Sequence, residues 1–131
     1  IILCGFTPQP PHREIEKTAL GATRSVPWTT AENALEAVIA AKIAGYRTIG
    51  VEQTLNALSI GSIPGVALGP IALVFGNELN GVSDVVIEAC DACVIIPQHG
   101  SKHSLNVSVC AGVALYAITL PPVDKDHGTR T

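Results

Sequence analysis

The stretch Ile95-Ile96-Pro97-Gln98-His99-Gly100-Ser101-Lys102-His103-Ser104-Leu105-Asn106-Val107-Ser108-Val109 decides the fold. It starts at the end of the apolar run Ala92 to Ile96, breaks into Pro, Gly and small polar residues, and then enters a long apolar helix. A second stretch of the same design stands upstream, Phe75-Gly76-Asn77-Glu78-Leu79-Asn80-Gly81-Val82-Ser83, at the end of the apolar run Ile71 to Phe75. Loops at strand ends are where α/β proteins meet their ligands, so two of them imply one shared site.

Outward from these stretches the chain alternates apolar runs with helical patterns. Ile1 to Gly5 and Thr48 to Glu52 read as further strands. Pro8, Pro10 and Pro11 make residues 6–11 a loop. His12 to Ala22 reads as a helix, with Ile15, Ala19 and Leu20 inward. Ser25 to Trp28 is extended, because a residue before Pro is pushed toward β. Thr30 is the expected N-cap of a helix whose stripe is Ala31, Ala34, Leu35, Val38 and Ile39, and Gly45 ends it. Thr54 to Pro70 reads as irregular. Ser83 is placed to cap a helix over Asp84 to Ala89. Leu105 to Leu120 is apolar nearly all round, which predicts deep burial, and the tail Pro121 to Thr131 reads as loose. Strands alternating with helices give an α/β domain with a parallel sheet flanked by helices.

Composition agrees. Hydrophobic residues are 47% and aromatics 4%, so the core is aliphatic, as a covered parallel sheet requires. The 131 residues suggest one domain, 1–131. A net charge of −3 excludes a global basic field, so any nucleic-acid contact must rest on local charge. Val107 to Leu120 is the longest apolar stretch and is shorter than the ~20 residues of a membrane span, and no signal-peptide core precedes it. Cys90 and Cys93 form a single CxxC. With Cys4 and Cys110 they read better as buried reduced thiols than as a redox pair or half a zinc site, which fits a cytoplasmic protein. His99 and His103 are four apart, but Gly100 argues against a helix and no carboxylate stands beside them, so no metal is expected.

Taken alone, Gly76 and Gly81 are turn glycines, Glu78 a solvated loop carboxylate, Ile96-Pro97 a strand end and Ser104 an N-cap. Together, Gly76, Asn77, Glu78 and Gly81, with Ile96, Pro97, Ser104, Leu105 and Asn106, resemble the second and third motifs of the SpoU-type RNA ribose methyltransferases, in the SPOUT superfamily of knotted methyltransferases. A weaker similarity at Thr18-Ala19-Leu20-Gly21-Ala22, after the basic Arg13 and Lys17, extends it over nearly the whole chain.

The resemblance implies a C-terminal deep trefoil knot, a homodimer and transfer of a methyl group from S-adenosylmethionine to a ribose 2′-hydroxyl in tRNA or rRNA, with no DNA or membrane partner. It implies cofactor contacts at Glu52, Gly76, Ile96, Ser104 and Leu105, and positioning or catalytic roles for Glu78, Ser104 and Asn106. Lys102 and the two histidines fall in a loop suited to RNA phosphate. The family's first motif, an Asn and an Arg upstream of a strand like Ile1 to Gly5, has no counterpart. With no Met in the chain, that suggests a domain lacking its N-terminal strand and helix. Two alternatives stay open: a catalytically inactive knotted RNA-binding module, and an unrelated α/β nucleotide-binding protein such as a flavodoxin-like one.

Overall fold

The computed structural model describes residues 1–63, 69–99 and 105–119. Among the described residues are six strands, β1 (Ile2–Cys4), β2 (Thr29–Ala31), β3 (Arg47–Val51), β4 (Leu58–Ser59), β5 (Ile71–Phe75) and β6 (Ala92–Ile95), and five helices, α1 (Arg13–Ala19) and α2 (Ala22–Ser25) between β1 and β2, α3 (Ala34–Ile43) before β3, α4 (Asp84–Ala89) before β6 and α5 (Val107–Thr119) after it. Every strand pairing is parallel. The main sheet has the order β4-β6-β3-β5, and β1 and β2 form a separate pair.

Alternation along β3 decides which helices lie on which face. Ile49 and Val51 point to one side, where they join Val94, Ile60, Ala114 and Ile118 in the core beneath α5. Thr48 and Gly50 point to the other. There α4 packs so closely that a Cβ on Gly50 would lie 2.7 Å from Ile87 Cδ1. The sheet is therefore covered on both faces, as its aliphatic strands require. Asp91 fastens the α3–α4 side. Its Oδ2 accepts from the buried Thr48 N–H and hydroxyl, both at 2.8 Å, and its Oδ1 pairs with Lys42 at 2.9 Å. The Lys42 ammonium, with the two Thr48 donors, holds the Asp91 carboxyl down at about 2.

Several local expectations are corrected. Thr30 does not cap α3: it lies in β2, held by pairing Thr29–Ala31 with Ile2–Cys4. Asn33 caps instead, its Oδ1 accepting from Glu36 N at 2.9 Å. The helix expected over His12 to Ala22 stops at Leu20, which takes φ 48°, and resumes as α2 after Gly21. Ser83 occupies the N-cap position of α4 without a side-chain cap bond. Within Thr54 to Pro70 lie β4 and a 3-10 turn at Ile60–Ser62, the former ordered by its pairing with β6.

The largest correction concerns α5. Only Ala114 and Ile118 are buried. Val109, Val113 and Tyr116, at i, i+4 and i+7, form a stripe that is 52%, 39% and 67% exposed, with Leu115 beside it at 53%. One sheet face covers one side of an apolar helix, and nothing among the described residues covers the other. The cysteines are free and half-buried, not deeply buried, and burial pushes the Cys4, Cys90 and Cys110 thiols up. The tail and the Gly100–Ser104 segment lie outside the described residues, and so does the full path of the expected knot.

Candidate functional site

β3, β5 and β6 run parallel and end level with one another, Val51 opposite Phe75 and Val94. Each then gives way to a loop, and between those loops a cleft of about 330 Å³ opens. It stands outside the carboxyl ends of the strands, where open α/β sheets bind ligands. Its volume falls at the low end of the roughly 300–1,000 Å³ usual for small-molecule sites. Val51, Phe75, Val94, Ile96, Leu105 and Val107 supply apolar wall, and Gln53, Asn77, Asn80 and Gln98 supply neutral polar groups.

The loop after β5 is built by glycine and asparagine chemistry. Asn77 Oδ1 accepts from the N–H groups of Leu79 and Asn80 at 2.9 and 2.8 Å, an Asx turn. Gly81 returns an N–H to Asn77 O at 3.0 Å and adopts φ 62°, the left-handed region that glycine enters without cost. The returning limb then passes so close to Gly76 that a Cβ there would collide with the Gly81 carbonyl and Val82 N. Both glycines are thus demanded by the closing of the loop on itself.

Glu52, Gly76, Glu78, Ile96 and Leu105 are brought together on the cleft. Both Glu52 oxygens are engaged by main chain, Oε1 by Gln53 N–H and Oε2 by Val82 N–H, each at 2.9 Å. Glu78 is exposed, and its side chain makes no hydrogen bond or ion pair among the described residues. Ile96 follows the last ladder pair of β6, Ser59 with Ile95, so its main-chain groups have left the sheet. Asn106 does not line the cleft. It caps α5, its Oδ1 accepting from Ser108 N at 2.9 Å and its carbonyl from Cys110 N at 2.9 Å. The capping role expected of Ser104 therefore falls to Asn106, and Ser104 itself lies outside the described residues, as do Lys102 and His103. His99 is exposed on the strand's exit.

The electrostatic character of the cleft is one-sided. Glu52 and Glu78 are its only charged residues among those described, with no Lys, Arg or His on its wall. Cys110 faces it too; burial pushes that thiol up, and the Glu52 carboxylate adds to the effect. No group of three or more metal-ligating side chains occurs among the described residues. Sequence inspection passed over Gln53, Gln98 and Cys110 as wall residues. The Asx turn was open to it, because Asn77 stands at the head of Asn-Glu-Leu-Asn-Gly.

Residues 1–116 match the profile of the SpoU rRNA Methylase family. A 23S rRNA (guanosine-2′-O-)-methyltransferase, RlmB, from Burkholderia sp is 40% identical over 101 residues, which are 76% of this chain and 39% of that protein. Among solved structures, an AdoMet-bound rRNA methyltransferase from Sinorhizobium meliloti superposes with a TM-score of 0.80 at 26% identity, over 90% of this chain and 44% of that one. The TrmH/SpoU tRNA modifying enzyme of A. aeolicus gives 0.70 at 29% identity, over 79% of this chain and 51% of that one. This chain thus spans about two-fifths of the Burkholderia relative and about half or less of these two structures.

Proposed function

The chain belongs to the SpoU rRNA methylase family, and on that premise we propose that it carries the cofactor site of an S-adenosylmethionine-dependent methyltransferase acting on a ribose 2′-hydroxyl in tRNA or rRNA. The observation that carries this is the cleft itself: apolar walls with neutral polar groups, two carboxylates and no described cation. S-adenosylmethionine has an adenine that asks for such walls and a sulfonium and an ammonium that are favoured by negative charge. A flavin or nucleotide phosphate would face Glu52 and Glu78 with nothing opposite in sign among the described residues, which favours the cationic cofactor over a flavodoxin-like alternative.

Ile96 and Leu105 would flank the adenine, with the freed main chain after β6 offering donors and acceptors. Gly76 would let the backbone lie against the cofactor. Bound there, S-adenosylmethionine supplies a methyl group on a positively charged sulfur that departs as a neutral thioether. The acceptor hydroxyl must lose its proton as the oxygen–carbon bond forms. The Glu78 carboxylate, on the cleft and without a partner among the described residues, would orient that hydroxyl or take the proton. Asn106 would act by fixing the start of α5, and Ser104 by contact with the methionine end or the ribose. Most of the rate would come from alignment of methyl and oxygen, and the chemistry asks for no metal. Arg13 and Lys17, exposed four residues apart on α1, offer a local contact for RNA phosphate.

The same proposal includes the knot, the dimer and a cytoplasmic location. β6 enters the sheet between β4 and β3, two strands that precede it in the chain, and that insertion supports a threaded C-terminal segment. The open stripe Val109, Val113 and Tyr116 supports a second copy packed on α5. No described helix is long and apolar enough to cross a membrane.

The test is tritiated methyl incorporation into total RNA by the intact protein, followed by nuclease mapping. Label on ribose is the expected result. Label on a base refutes the 2′-hydroxyl as acceptor, and cofactor binding without any transfer favours the inactive RNA-binding module.

A further inference from the structure

Glu52 stands one residue beyond β3, and its Oε2 reaches across thirty positions of sequence to Val82 N–H. That crossing is tight. A side chain on Gly81 would collide with the same Oε2, and one on Gly76 would collide with the Gly81–Val82 main chain. The returning limb of the loop is therefore pressed between Gly76 on one side and a carboxylate on the other. Within the loop, Asn77 supplies the internal bonds. From outside it, Glu52 is the one described side chain that bonds to residues 77–82. The loop's shape is internal, and beyond its continuity with β5 its described side-chain tie to the sheet is Glu52. The second oxygen accepts from Gln53 N–H, which fixes the carboxylate's own rotation.

We infer that Glu52 is a positioning residue: acting through Val82, it holds the 76–82 loop against the end of β3 in the form that walls the ligand cleft. This rests on the cofactor reading of the cleft given above, and it assigns Glu52 a task other than touching the cofactor. Main-chain donors hold both oxygens, so the side chain acts on the ligand by fixing where Gly76, Asn77 and Glu78 stand. Removing the acceptor would leave Val82 N–H without its partner, and charged hydrogen bonds are the costly ones to lose.

The experiment compares Glu52→Ala, Glu52→Gln and Gly81→Ala in the intact protein, by amide hydrogen exchange and by titration with S-adenosylmethionine. Glu52→Ala should speed exchange at Val82 while leaving the β3 and β5 amides protected, and should weaken cofactor binding by about 30-fold, the scale of one charge-assisted hydrogen bond. Glu52→Gln keeps an oxygen for Val82 and should recover most of the affinity that Glu52→Ala loses, the remainder being the cost of the removed charge. Gly81→Ala drives a Cβ into Oε2 and should expose Val82 as Glu52→Ala does. If Glu52→Gln loses as much affinity as Glu52→Ala, the charge acts directly on the ligand and the positioning role is overturned. If the wild type binds no S-adenosylmethionine, the cofactor reading fails, and the clamp is judged by exchange alone; equal exchange at Val82 in all four proteins overturns it.

Discussion

Replacing Gly76 by alanine is the sharpest perturbation of this fold. The added Cβ would fall well inside 3.0 Å of three main-chain atoms, the Gly81 carbonyl carbon and oxygen and Val82 N. None of these is the end of a flexible side chain, so the contact is relieved only if one limb of the loop moves, by about 1 Å or more. Overpacking of this kind costs about 1–3 kcal/mol. For a chain of this size that lowers the melting temperature by roughly 5–10 °C. The displaced limb carries Val82, which Glu52 holds at 2.9 Å, so the cleft loses its wall as well. Loss of that wall, with the charge-assisted bond that holds it, should weaken ligand binding by about 30-fold, or about 2 kcal/mol. Differential scanning fluorimetry and isothermal titration with S-adenosylmethionine, run on Gly76→Ala and wild type together, measure the two quantities. A variant that melts with the wild type and binds within threefold of it would refute the reasoning, because the loop would then have room that its glycines deny.

The other expectations are more local. The Asp91 carboxyl is held below its usual 3.8, at about 2, so its contribution to stability is complete above about pH 4 and is lost as pH falls through about 2. Asp91→Asn should therefore lower the melting temperature at pH 7, with the difference from wild type closing in strong acid. Ile49→Ala, at a fully buried site, should cost about 2–5 kcal/mol in denaturant unfolding. Val113→Glu should leave circular dichroism unchanged and convert a dimer to a monomer in sedimentation, if the α5 stripe is the interface; a wild-type monomer at tens of micromolar, roughly the ceiling for a stable interface, contradicts the dimer. Glu78→Ala should lower methyl transfer about ten- to a thousand-fold with little change in stability. Asn106→Ala should also lose about 1 kcal/mol from the missing helix cap, read in thermal melts.

Sequence inspection locates what is locally encoded. The runs Thr48 to Glu52, Ile71 to Phe75 and Ala92 to Ile96 are strands within a residue of their bounds, because a strand covered on both faces needs an unbroken apolar run. Gly45 ends α3 with φ 85°, as its position foretold. What it misses is set by distant partners. Thr30 and Asn33 are both competent caps, and the choice between them is made by β1, some thirty residues away. Leu58 and Ser59 form a strand only because Val94 and Ile95 lie alongside. α5 reads as buried on all sides because hydropathy reports what a helix prefers, while the described fold offers cover on one side. At the site, the motif residues Gly76, Ile96 and Leu105 come together on the wall of one cleft. The Glu52–Val82 bond, across thirty residues, is not legible in the sequence.

The place of β6 in the sheet also fixes an order of events during assembly. β3 and β5 pair directly and lie only twenty-odd residues apart in the chain, so they can associate as soon as both exist. β4 is made between them yet bonds to neither, and its one described partner is β6. It must wait unpaired while α4 and the last strand are synthesised. The closing step then brings Val94 into the core and Ile96 to the cleft together. Long-range parallel pairing of this kind is intrinsically slow, and the cleft cannot form before it. A nascent chain stopped before Ala92 would have the Asn77 turn and the Glu52 side chain, but no floor between them.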